Sequence, residues 1–119
     1  MATLVTKLTL QSSDTLSDPL NLTCSDTLSV TNPTELSRVS ISQSGVTTLI
    51  ASSVSATTYV YLKNIDTTNY IDVRTDGATG FIRLAAEESA FFPLMGSTGL
   101  ECQANTAACV LEYGYWTKA

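Results

Sequence analysis

The chain has 119 residues, 44% of them apolar and only 14% charged, and a formal net charge of −5. That length suits one domain with one core spanning residues 1–119. Six scattered Lys and Arg make no basic stripe for phosphates, and no apolar run approaches the ~20 residues of a membrane helix. Nucleic acid and membrane are therefore not expected partners. Histidine is missing altogether, which removes the commonest general base, the Ser-His and Cys-His nucleophile pairs and the usual transition-metal ligand.

Alternation with a period of two recurs along the chain, and helical stripes do not. Leu4, Thr6, Leu8 and Leu10 face one way and Thr3, Val5, Lys7 and Thr9 the other, a first strand. Residues 14–19 are a polar break. Leu20, Leu22 and Cys24 alternate with Asn21, Thr23 and Ser25, and Leu28 and Val30 carry on to a turn at Thr31-Asn32-Pro33-Thr34. Residues 36–42 form the next strand, with Val39 and Ile41 inward. Gln43-Ser44-Gly45 turns the chain into a strand over 46–52.

The second half is more sharply patterned. Residues 59–64 and 70–74 read as strands joined by the turn Asp66-Thr67-Thr68-Asn69. Asp76-Gly77 opens a loop in which Gly77 and Gly80 can supply positive φ. A strand over 81–84, a corner over 85–89 and a strand over 90–94 follow, with Pro93 predicting an end or a bulge. Gly96 and Gly99 frame a loop before strands over 100–104 and 107–116. The expectation is an all-β, single-domain antiparallel β-sandwich of eight to ten short strands. Both chain ends are expected to be paired into a sheet or clamped by neighbouring subunits.

Chemistry is hard to assemble from these residues. Glu87 and Glu88 are adjacent and point to opposite sides of an extended segment, so an acid/base pair would need Asp72 or Glu101 from across the fold. Asp66, Thr67, Thr68, Asn69 and Asp72 resemble oxygen ligands, yet Asx-turn chemistry accounts for them without an ion. The reading is therefore not an enzyme: no catalytic residue, no metal site, no cofactor and no small-molecule substrate. Cys24, Cys102 and Cys109 read as small buried hydrophobes, with a Cys102–Cys109 bridge across a tight hairpin as the alternative. Met1 to Lys7 shows neither a basic segment nor an uninterrupted apolar run, so the chain reads as made and kept in the cytoplasm unless a larger assembly carries it out.

Phe81, Phe91 and Phe92 read as core. Tyr113 and Tyr115 alternate on one strand as Tyr59 and Tyr61 do on another, and Trp116 points opposite to Tyr115. Tyr113, Tyr115 and Trp116 are the candidate interface anchors, with a place in the core as the first alternative for Trp116 and a sugar-stacking platform at the Tyr115/Trp116 end as the second. A low-charge exterior rich in Ser and Thr is also less costly to desolvate against a partner than one covered in Lys and Glu.

From residue 59 to 116 the phrases Tyr59-Val60-Tyr61-Leu62-Lys63-Asn64, Thr68-Asn69-Tyr70-Ile71, Asp76-Gly77, Phe81-Ile82-Arg83-Leu84, Phe91-Phe92-Pro93-Leu94 and Ala107-Ala108-Cys109-Val110-Leu111-Glu112-Tyr113 resemble small jelly-roll structural proteins of tailed bacteriophages. The resemblance implies a viral structural protein on the capsid surface of the virion. It would be a cement or decoration protein, assembled in the host cytoplasm, with the major capsid protein and its own copies as partners, as a homotrimer or another symmetric oligomer. A tail, baseplate or fibre component and, in another class, a carbohydrate-binding module are the alternatives. Where such relatives carry a Pro-Gly-Glu corner, this chain has Ala86-Glu87-Glu88.

Overall fold

The computed structural model describes residues 2–14, 17–33, 36–77 and 80–119, the side chains of Asn32 and Pro33 excepted. The described residues form ten strands in two antiparallel sheets. They are β1 (Ala2–Ser12), β2 (Leu20–Pro33), β3 (Ser37–Ile41), β4 (Thr47–Ile50), β5 (Thr58–Asn64), β6 (Ile71–Arg74), β7 (Ile82–Leu84), β8 (Ser89–Leu94), β9 (Leu100–Ala104) and β10 (Cys109–Lys118). The larger sheet runs β1-β2-β10-β5-β8, with β3 also on β10, and the smaller runs β4-β9-β6-β7.

β10 organises the large sheet. Along one edge it pairs with β5 from Leu111↔Asn64 to Thr117↔Thr58. Along the other its first half takes β3, from Cys109↔Ile41 to Tyr113↔Ser37, and its last residues take β2, at Trp116↔Pro33 and Lys118↔Val30. Alternation then sends Leu62, Val60, Leu111 and Ile41 inward, onto Ile71, Val73, Leu84, Leu100 and Cys102 of the small sheet. That single core draws on β3 to β10 and on neither β1 nor β2.

β1 and β2 make a separate feature. They pair in unbroken register over eleven residues, from Ala2↔Val30 to Ser12↔Leu20, while β2 reaches the body only at its end. The result is a two-stranded arm. A radius of gyration of 15.6 Å, against about 13.5 Å for a compact chain of this length, reflects the projection. At its base Val30 is buried, Ala2 pairs with it, and Ala119 N–H donates to Ser29 O at 3.0 Å.

Several sequence expectations shift. The turn expected at Thr31-Asn32-Pro33 is a continuation of β2, with Thr34 outside the described residues, as are Met1, Thr15 and Leu16 of the first segment and its break, and Ala78 and Thr79 of the loop after Gly77. Pro93 neither ends nor bulges its strand. β8 lies at the sheet edge, where a missing N–H costs no ladder bond, and its register runs on through Tyr59↔Pro93. Gly77 takes φ 71°, as the loop requires, and Gly80 takes no positive φ. Phe81 is 59% exposed and Phe91 41%, which corrects their assignment to the core, while Phe92 packs against it. Phe81 precedes β7, in which Ile82 and Leu84 face inward, and in β8 the inward places go to Ala90, Phe92 and Leu94.

One buried amide ties the turn region together. Asn64 Nδ2 donates to the carbonyls of Asn69 (2.9 Å), Leu84 (3.1 Å) and Ala85 (3.2 Å), and its Oδ1 accepts from Asp66 N–H at 3.0 Å. Replacing it with leucine, Asn64→Leu, strips several buried backbone groups of their partner at once. It should cost about 2–4 kcal/mol in denaturant unfolding, with the slope unchanged.

The corner before β8 closes without glycine. Glu87 adopts φ 67° at the place where the resembling proteins carry Gly, and Glu88 Oε1 accepts from Ala85 N–H at 2.7 Å. A side chain in the left-handed region is strained and glycine is not. Glu87→Gly should therefore raise stability by up to about 1 kcal/mol in the same unfolding assay.

Candidate interaction surface

The two outer faces of the sandwich differ in balance, charge pairs dominating one and aromatic rings the other. On the small sheet, cross-strand charges satisfy one another. Arg83 grips Asp72 through Nε (2.7 Å) and Nη2 (3.1 Å) and lies 3.9 Å over the Tyr70 ring, while Arg74 Nε meets Glu101 Oε1 at 3.0 Å. On the large sheet, alternation turns Tyr59 and Tyr61 of β5, Phe91 and Pro93 of β8 and Trp116 of β10 outward. Tyr59 and Phe91 stack with centroids 6.3 Å apart and planes at 15°. At the far end Glu112 accepts from the Tyr61 hydroxyl (3.0 Å) and from Arg38 Nε (3.1 Å), which hold its carboxyl below its ordinary value.

The arm completes this surface. Its even-numbered residues share one face: Ala2, Leu4, Thr6, Leu8 and Leu10 on β1, and Leu22, Cys24, Asp26, Leu28 and Val30 on β2. The odd face is mostly hydroxyls and amides, among them Thr3, Thr9, Gln11, Thr23 and Ser25. Thr6, Leu8, Cys24 and Leu28 line a mostly apolar groove of about 390 Å³ with Tyr59, Phe91 and Pro93, and Lys7 and Asp26 add one charge of each sign, so both margins of the large sheet flank it. Towards the arm's tip the same apolar face is open: Leu8 is 56% exposed, Leu10 45% and Leu22 50%. Exposed apolar patches are a common mark of interaction sites on proteins.

The candidate anchors fall on both sides of the sheet. Trp116 lies on the outer face beside Tyr59 and over Gly114, where an added Cβ would come within 3.4 Å of the indole. Tyr113 and Tyr115 point inward and pack against the core. Tyr115 and Trp116 thus make no common row, as their adjacent positions in a strand require. The groove residues Leu8, Cys24, Leu28 and Pro93 were not among the sequence candidates. Alternation places Leu8 and Leu28 on an apolar face, but not which apolar faces stay uncovered.

The acidic candidates are dispersed. Asp66 Oδ2 accepts from the N–H groups of Asn69 (2.6 Å) and Thr68 (2.9 Å), an Asx turn that holds its carboxyl below its ordinary value. The Asp72 carboxylate goes to Arg83 and that of Glu101 to Arg74, so neither joins Glu87 or Glu88. Among the described residues no three His, Cys, Asp or Glu side chains are grouped to hold a metal ion, and no helix is long and apolar enough to cross a membrane.

Cys102 and Cys109 are buried as expected, and Cys24 is not. Cys102 lies in β9, paired with Val73 and Thr47 in the small sheet, and Cys109 in β10, paired with Ile41 in the large one. The connection between β9 and β10 crosses between sheets instead of closing a hairpin, and all three thiols are free. Cys24, expected inside, is exposed because its strand belongs to the arm. Burial pushes the Cys102 thiol up to about 12 and raises that of Cys109 as well. At pH 8 a thiol reagent should titrate one group per chain quickly, Cys24, and three only in guanidinium. Cys24→Ser should abolish the fast phase, and a fast phase surviving in that variant would mean that the core strands open.

No family model matches the chain, and no curated protein matches it. A solved structure from the Bacillus endospore appendages, described as disulfide-linked pili, aligns with 84% of this chain and 100% of that one, at 18% identity and a TM-score of 0.43. Likeness at that level fixes neither a fold family nor a role.

Proposed function

We propose that this protein is a structural component of a tailed-phage virion, a jelly-roll cement or decoration protein that binds the outer capsid shell as a symmetric oligomer and stabilises capsomer junctions. The observation that carries an assembly role is the apolar groove and open arm face on the large sheet, opposite a small sheet whose charges are internally paired. The choice of capsid comes from the phrases between residues 59 and 116 that resemble phage jelly-roll proteins.

Cementing of this kind is a binding function. A compact β body with an uncovered apolar surface adds interface where shell subunits meet, and any ligand that binds only the assembled shell stabilises it by mass action. The major capsid protein is the partner this reading requires, with further copies of the chain, in the simplest case a homotrimer, supplying symmetry. Tail, baseplate or fibre placement is the alternative within the same class, and copy number separates the two.

Quantitative mass spectrometry of purified virions should find this chain in hundreds of copies, in fixed ratio to the major capsid protein, and particles stripped of it should lose their contents at lower temperature. A few to dozens of copies would place it in the tail instead. Its absence from particles would overturn the virion reading.

A further inference from the structure

Every open-ended sheet exposes a row of unpaired backbone N–H and C=O groups at each edge, and proteins blunt the edges that stay in water. Four of the edge strands here are blunted, and the two sides of the arm, β1 and the part of β2 that runs past β10, are not. β7 is three residues long, and β4 is four, with an irregular register against β9. β8 carries Pro93, which offers no N–H, and the free side of β3 is five residues long and bears Arg38. β1 is different: eleven residues without proline or glycine, in unbroken register with β2, and carrying Lys7 as its single charge.

We propose that β1 is a self-association edge, pairing antiparallel with β1 of a second copy across a two-fold axis perpendicular to the arm. A second copy is favoured because an unblunted edge must meet a strand of matching length, which this chain offers only in its arm. β1 against β1 closes on a two-fold axis, whereas β1 against the second copy's β2 would leave one edge open at each end. A two-fold axis of that kind also keeps the apolar even faces of the two arms on the same side. The charges then select the register. Centring on Lys7 would set two ammonium groups opposite each other, which is destabilising. Centring on Leu8 leaves a single Leu–Leu pair, and centring on Thr9 pairs Leu8 with Leu10 but overlaps two residues fewer than centring on Thr6. Centring on Thr6 sets Leu4 against the second copy's Leu8, Ala2 against its Leu10 and Lys7 against its Val5, with no like charges facing. The product is a four-stranded sheet, β2-β1-β1-β2, whose even face joins the two grooves into one apolar surface.

This contact goes beyond the capsid reading and holds wherever the protein is assembled. By itself it makes a dimer, and a chain that also forms a three-fold ring would be joined by its arms into pairs of rings.

The test is a charge swap at the centre. Thr6→Lys and Thr6→Glu both alter an arm residue outside the core, so each full-length variant should keep the wild-type circular dichroism and thermal midpoint. In light scattering at tens of micromolar, each variant alone should show half the wild-type mass, and an equimolar mixture should recover the full mass. As a second measurement, Thr6→Cys in a Cys24→Ser background should form an interchain disulfide under mild oxidation, and Thr9→Cys in that background should not. A wild-type monomer, variants that keep the wild-type mass, or a mixture that stays at half mass would each overturn the proposal. The last outcome would point to β1 pairing with a different edge, because only a self-matched contact sets position 6 against itself.

Discussion

The structure depends on β10 being shared. One ten-residue strand supplies the hydrogen-bonding edge for β5 on one side and, on the other, for β3 and then β2. Two strands laid end to end on one neighbour leave the second free to run on past the body. β2 does so, and β1 follows it back. The same strand fixes which side of the sheet is which: Leu111 and Cys109 close the core, Tyr113 and Tyr115 pack against it, and Gly114 and Trp116 face outward. Gly114 keeps the outer face low at that point, so that Leu36 and the Trp116 indole close over the bare backbone.

Functional asymmetry follows from this layout. The small sheet pairs Arg74 with Glu101 and Arg83 with Asp72 across its outer face, beside an exposed Phe81. The large sheet instead presents stacked Tyr59 and Phe91, then Leu8 and Leu28 of the arm across a groove. Low overall charge and abundant Ser and Thr lower the desolvation cost of bringing a partner there. The half-buried outer residues and the open arm are parts of one surface.

The class of fold was legible in the residues because strand periodicity is a local property. Tyr59 to Asn64 alternates, and it is a strand at nearly those bounds. Residues 100–104 are β9 as expected, and the Asx turn at Asp66 forms through its own side chain. The corner at Ala86-Glu87-Glu88 was legible as a corner, although only the backbone shows Glu87 bearing the left-handed φ that glycine would take freely.

Alternation by itself determined that this is an all-β chain and which residues share a face, because a side chain's side of a strand follows from its number alone. Tertiary structure decided which of those faces are covered. Leu4, Leu8, Leu10, Leu22 and Cys24 carry the same pattern as core strands, yet β2 leaves the body after its last few residues and their face stays open at the tip. Cys102 and Cys109 look like a hairpin pair but lie in different sheets, because the connection between them crosses the sandwich. In each case the outcome depends on which strand a segment pairs with, a long-range choice made by competition among edges that no local pattern records.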